Sequence, residues 1–268
     1  MTAKTLPALL DKMWQDYIQI NPLAQKISDL LTEKGQPLQN DHIALRTFNH
    51  KRVGVDVMAR PFLEAGYKYG GDYQFVEKKL YAKHYEHPDR SLPKIFISEL
   101  KMEEFSPELQ KTVNSLIDQI PAGLENSFDF VSIGRPWKVT TKIYNDLMKE
   151  SDYAAWVSAF GYRPNHFTVF INAMRNFSDI KVLNDFLKEK GFKLNSSGGE
   201  VKGSPEVLLE QSSTLANNVE VVFEDGRLTI PACYYEFAKR YPLKNGELYQ
   251  GFVAASADKI FESTSKGQ

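Results

Sequence analysis

The stretch Asp41-His42-Ile43-Ala44-Leu45-Arg46-Thr47-Phe48 decides the fold. Read as a strand it alternates, with Ile43, Leu45 and Thr47 on one face and His42, Ala44, Arg46 and Phe48 on the other. The second set puts an imidazole and a guanidinium on one face, roughly 13 Å apart along the strand. A metal ligand and a carboxylate clamp at that spacing would hold the two ends of a small dianion. An ordinary half-buried strand, its His satisfied by a backbone carbonyl and its Arg at the surface, fits the same letters. A second copy changes the balance. Asn165-His166-Phe167-Thr168-Val169-Phe170-Ile171-Asn172 repeats the design: a small polar residue, then His, then an alternating β-branched and aromatic run.

Outward from these two strands the chain reads as a duplication. After residues 41–48 comes a helix with Val55, Met58, Phe62 and Leu63 on one face, stopped by Gly66. Strands follow at 67–75, 79–85 and 94–100, giving the order β-α-β-β-β. After His166 the order repeats. Ser178-Asp179 caps a helix carrying Ile180, Val182, Leu183, Phe186 and Leu187, which Gly191 stops. Strands are expected at 192–195, 207–212, 219–223 and 227–237, with Glu224-Asp225-Gly226-Arg227 as a hairpin turn. The expected organisation is one globular unit: a helical lead-in over 1–40, a first module over 41–100, a helical insertion over 101–160, a second module over 161–240 and a C-terminal tail over 241–268. The fold class is α+β, a curved sheet around a metal site with added helices. The insertion reads as helices covering one face or rim of the sheet.

Composition excludes several function classes. The 268 residues are 42% apolar and 25% charged, with a net charge of -1 and no Lys/Arg block, which argues against nucleic acid. No apolar run approaches a bilayer span, and the N-terminus lacks the apolar core of a signal peptide, so no membrane is expected. Cys233 is the single cysteine, which rules out an intramolecular disulfide and a thiolate-rich zinc site. A cytoplasmic setting is expected.

Each module opens with His and closes with Glu. His42, His166, Glu236 and Glu99 are therefore the candidate ligands of a metal at a pseudo-twofold centre. Two imidazoles and one carboxylate on one face of an octahedron leave adjacent positions for a chelating substrate and for dioxygen. That favours Fe(II) over zinc, and the lack of softer ligands counts against copper. A strand-end surface carboxylate is the other reading of Glu236. Tyr85-Glu86-His87-Pro88-Asp89 looks like an exposed turn. His84 and His87 there, with His50, read as solvated or close to substrate.

The motifs His42-Ile43-Ala44-Leu45-Arg46-Thr47, Leu209-Glu210-Gln211-Ser212-Ser213-Thr214, Tyr234-Tyr235-Glu236-Phe237 and the tail from Gly251 to Thr264 resemble one family. It is the 2-oxoadipate dioxygenase/decarboxylase (hydroxyglutarate synthase) family of the vicinal-oxygen-chelate superfamily, and the resemblance runs from about Asp41 onward. It implies a mononuclear Fe(II) enzyme in which His42, His166 and Glu236 hold the metal and Arg46 binds the distal substrate carboxylate. It also implies a small 2-oxo acid and dioxygen as partners, with 2-oxoadipate converted to 2-hydroxyglutarate and CO2. Gln211 and Ser256 are placed near the substrate, against strand pairing and a helix cap as their plain roles. Glu99 is expected near the pseudo-twofold mate of Glu236 but outside the ligand set. Two rivals share the fold: a glyoxalase-like isomerase, in which Glu99 joins the metal as a fourth ligand, and a non-catalytic ligand-binding module.

Overall fold

The computed structural model describes residues 3–253 apart from Gln36, Pro37 and Ser178. Its centre is a curled eight-stranded sheet in the order β2-β3-β4-β1-β5-β10-β7-β6. Strand β1 (Asn40–Phe48) runs antiparallel to β5 (Pro164–Phe170), and this seam joins two similar halves. The first half adds α3 (Val55–Glu64), β2 (Lys68–Phe75), β3 (Leu80–Glu86) and β4 (Lys94–Leu100), with β4 parallel to β1. The second adds α7 (Ile180–Glu189), β6 (Lys202–Ser204), β7 (Leu209–Ser213) and β10 (Tyr234–Arg240), with β10 parallel to β5. The expected α+β repeat is the one observed.

Local chemistry explains the matching helices. Asp179 caps α7 by accepting from the amides of Lys181 and Val182, while its expected partner Ser178 lies outside the described residues. Gly66 and Gly191 follow α3 and α7 with φ of +100° and +86°, a conformation that ends a helix cheaply only at glycine.

The second half departs from the expected strands. Phe192–Asn195 contributes only one bridge, Leu194 to Thr214. The expected strand at 219–223 leaves the main sheet: β8 (Asn218–Phe223) pairs with β9 (Gly226–Pro231) as a separate hairpin. The single strand expected over 227–237 is broken into β9 and β10. Pro231 has no N–H to continue a ladder, and the chain swings through Ala232 and Cys233 into the main sheet.

Helices α1 (Leu6–Ile20) and α2 (Pro22–Glu33) meet at Pro22, and α1 covers the outer face of β5 and β10. There Trp14 lies 5.1 Å from the Phe167 ring and Tyr17 5.0 Å from it. Between the halves run α4 (Pro107–Ile117), α5 (Thr141–Glu150) and α6 (Asp152–Phe160). Every residue of α6 after Asp152 is buried, so this helix is packed on all sides. It ends at Gly161, where a Cβ would come within 2.2 Å of the Gly134 carbonyl oxygen. Among the described residues no helix is long and apolar enough to cross a membrane.

Candidate metal centre

The site lies on the inner face of the seam. Thr168 of β5 sits between His42 on β1 and Glu236 on β10, and one rung on His166 sits between Ala44 and Tyr234. Side chains of these residues share a face because strand side chains alternate. Each His-bearing strand also carries one extra residue just before its histidine. The β1–β5 register shifts at Asp41 and again at Asn165, two symmetric bulges. A bulge re-aims the side chain of its extra residue. As a result Asp41 Oδ1 lies 2.8 Å from His42 Nδ1, and Asn165 Oδ1 lies 3.0 Å from His166 Nδ1. Both acceptors fix the ring proton on Nδ1 and turn Nε2 inward.

The inward nitrogens converge on one carboxylate. His42 Nε2 is 3.5 Å from Glu236 Oε1 and His166 Nε2 is 3.4 Å from Oε2. One ligand atom from each of the three lies within 4.8 Å of the others, and all three residues are buried. Gln211 Nε2 donates to Glu236 Oε1 at 2.6 Å, and Thr168 Oγ1 lies 3.1 Å from His42 Nε2. Glu236 Oε2 is buried and has no hydrogen-bond partner among the described residues. Burial pushes the Glu236 carboxyl up to about 8, with Gln211 only partly offsetting it, and burial lowers both imidazoles below their ordinary value. A buried carboxylate with one orphaned oxygen, facing a neutral imidazole at each oxygen, is costly without a cation and well served by one. The donor set of two nitrogens and one carboxylate fits a divalent transition metal.

Asp41 is itself held. Burial would push its carboxyl up, but the Arg240 guanidinium and Lys94 hold it well below the usual carboxylate range. Arg240 Nε and Nη2 donate to its two oxygens at 2.6 and 2.8 Å.

Arg46 lies two residues beyond Ala44 on the same face and is buried. Its guanidinium carbon stands 5.1 Å from the Tyr153 ring centre and 5.0 Å from that of Trp156, both on α6. Its charge is felt at His166 and at Tyr234, whose ring stacks on His166 at 4.6 Å. The inserted helices thus do more than cover the sheet: α6 walls the guanidinium with aromatic faces, which suit it well. No local pattern signals this, because α6 is almost wholly apolar and buried and shows no polar face to mark which side meets Arg46. The pairing of Asp41 and Asn165 with their histidines did leave a trace, as the small polar residue before each His.

Glu99 corrects one expectation. Glu236 pairs with Thr168, two residues past His166, while Ala44, two residues past His42, pairs with Phe96. Phe96 is therefore the mate of Glu236. Glu99 sits three residues on, where its Oε2 accepts from the Val55 amide at 2.7 Å at the start of α3. It meets neither imidazole. His84 is not in an exposed turn: it is buried on β3, between the Tyr73 hydroxyl at 2.9 Å and Glu86 at 3.0 Å. His87 is partly buried, its Nδ1 accepting from the Asp89 amide, and His50 likewise accepts from the Arg52 amide. Ser256 and the tail beyond Val253 lie outside the described residues.

The family description 2-oxoadipate dioxygenase/decarboxylase matches residues 4–122 and 124–250. A chloroplastic 2-oxoadipate dioxygenase/decarboxylase of Arabidopsis thaliana is 34% identical over 97% of this chain and 78% of its own length. The hydroxyglutarate synthase of Oryza sativa, solved in complex with 2-oxoadipate, is 34% identical over 99% of this chain and 96% of that one, with a TM-score of 0.91. A Shewanella frigidimarina protein provisionally described as a hydrolase is 56% identical over 95% of this chain and 100% of that one, also with a TM-score of 0.91. A Ralstonia eutropha protein provisionally described as of the glyoxalase superfamily, 20% identical over 91% of this chain and 84% of that one, shares the fold with a TM-score of 0.77.

Proposed function

This chain belongs to the 2-oxoadipate dioxygenase/decarboxylase family, and from that premise we propose that it converts 2-oxoadipate and dioxygen to 2-hydroxyglutarate and CO2 at Fe(II) held by His42, His166 and Glu236. Of the two oxygen atoms, one enters the new C1 carboxylate and the other the C2 hydroxyl, so the atoms balance with no further reductant. The observation that carries the metal assignment is the buried Glu236 carboxylate, its Oε2 without a hydrogen-bond partner among the described residues and two inward Nε2 atoms within 3.5 Å of its oxygens. Bound there, ferrous iron would supply the Lewis acidity and the one-electron chemistry toward dioxygen that the side chains lack.

The chain's own residues do the rest. Asp41 and Asn165 hold the ring protons on Nδ1, so both imidazoles offer Nε2 without a rotation cost. Gln211 fixes the Glu236 carboxylate through its Nε2 and lines the site beside it, where its buried Oε1 can meet the substrate. Arg46 binds the far carboxylate of the substrate, its fork pre-aligned between Tyr153 and Trp156. Phe252, 4.8 Å from the His42 ring, and Phe96 beside it exclude water. A cytoplasmic setting remains part of the proposal, tested by fractionation of the source cells.

The decisive experiment is oxygen uptake by anaerobically Fe(II)-loaded protein across a panel of 2-oxo acids. Uptake matched by 2-hydroxyglutarate is expected with 2-oxoadipate. Turnover without oxygen uptake would overturn the assignment.

A further inference from the structure

Arg240 closes β10 and is 1% exposed, yet its guanidinium serves two separate parts of the chain. Towards the metal centre, Nε and Nη2 clamp Asp41 at 2.6 and 2.8 Å, and Asp41 in turn holds His42 Nδ1 at 2.8 Å. In the other direction, Nη1 donates to the carbonyls of Tyr249 and Gly251 at 3.0 and 2.8 Å. Those carbonyls belong to the strap that follows the sheet. The strap is turned tightly: a Cβ on Gly251 would come within 2.4 Å of the Tyr249 hydroxyl, which itself donates to the Phe252 carbonyl. The turn delivers the Phe252 ring edge-on to His42 at 4.8 Å, under the Arg240 guanidinium at 5.3 Å. Tyr73 fixes the same residue by accepting from its amide at 3.1 Å. Leu248, Tyr249, Gln250 and Gly251 of the strap line a cavity of about 690 Å³ that reaches Asp41 and Arg240.

The contacts form a closed ring: Arg240 to Asp41, Asp41 to His42, His42 to Phe252, and Phe252 back to Arg240. We propose that Arg240 is a positioning residue that sets the His42 imidazole and the strap Leu248–Phe252 together, so that ligand geometry and closure of the site on the Phe252 side are coupled. This rests on the reading that His42 holds a metal. Coupling of this kind is reciprocal: a metal that fixes His42 steadies Phe252, and a seated strap strengthens metal binding. A guanidinium is needed because no other side chain offers five donors in a fixed fork to a carboxylate and two carbonyls at once.

The test uses the full chain, anaerobic titration with Co(II) followed by its visible spectrum, and limited chymotrypsin cleavage mapped at Tyr249 and Phe252. In the wild type, Co(II) is expected to bind tightly and to slow cleavage of the strap. Arg240→Met should weaken Co(II) about 10–100-fold, change its spectrum and leave the strap cut at one rate with or without metal. Arg240→Lys keeps a cation beside Asp41 and should recover much of the affinity but none of the strap protection. Phe252→Ala should weaken Co(II) several-fold although it removes no polar group, and it carries the test if Arg240→Met fails to fold. Affinity within two-fold of wild type in Arg240→Met, or metal protection of its strap, would overturn the proposal. A wild type that binds no Co(II) at all would instead remove the metal reading, and this inference with it.

Discussion

At the scale of single residues, two side chains give the sharpest tests of the proposed site. Arg46 shares a strand face with His42 and is buried between two aromatic rings, so its charge is strong there and poorly replaced by water. Arg46→Ala is expected to lower kcat/KM for 2-oxoadipate by about 2–5 kcal/mol and to leave metal affinity intact. The loss should be far smaller with a monocarboxylic 2-oxo acid, which offers the guanidinium no partner. Equal losses on both substrates would make Arg46 a structural residue. Glu236 gives a prediction that needs no substrate. Its carboxyl is pushed up to about 8 by burial, so the folded metal-free protein keeps a proton that the unfolded chain has already lost. Stability from this group is full at low pH and falls as pH rises towards 8. The lowered His42 and His166 act with the opposite sign, but only below the ordinary histidine value of 6.5. Metal-free protein should therefore lose thermal stability between pH 6.5 and 8, and Glu236→Gln should flatten that fall. A wild-type melting temperature that is level across this window would count against a buried protonated carboxyl.

At the scale of elements, the paired bulges make the centre. Each gives its histidine a polar neighbour on Nδ1, but the neighbours differ. Asp41 is charged and clamped by Arg240, whereas Asn165 has a buried Nδ2 with no partner among the described residues. Asn165 is thus held for its Oδ1 alone. Asn165→Ala should cost little fold stability yet lower metal affinity about 10–100-fold, measured by anaerobic titration. Unchanged affinity would mean that packing against Tyr234 orients His166 unaided. The elements also explain what was legible. Strand β1 was readable because polar and apolar residues alternate and because β5 repeats its opening. Helices α3 and α7 were readable from their apolar stripes and their glycine stops. The second half was harder because β6 has only three residues and the hairpin β8–β9 interrupts the path from β7 to β10. Local pattern cannot say which of several short strands joins the main sheet, since pairing is settled by distant partners. Glu99 misled for a related reason. Ending a strand with Glu looked like a repeat, but register places Phe96 opposite the role of Glu236 and turns Glu99 to the α3 side.

At the scale of the whole molecule, the candidate ligands come from both halves: His42 from the first, His166 and Glu236 from the second. A bound metal would therefore link the halves across the β1–β5 seam, in addition to the strand pairing already there. Whatever binds only the folded state stabilises it by mass action, about 2.7 kcal/mol at a free concentration one hundred times Kd. For a chain of this size that is a rise in melting temperature on the order of 5–10 °C. Anaerobic Fe(II) or Co(II) should produce such a rise in the wild type, and His166→Ala should abolish it. Amide exchange tests the geometry more closely than the temperature does. If all three ligands hold one ion, metal should slow exchange on β1, β5 and β10 together, because each strand carries one of them. Slowing confined to β5 and β10, with β1 unaffected, would leave His42 outside the ligand set. The metal would then be a clip within the second half, and the seam would owe its strength to the strand pairing alone.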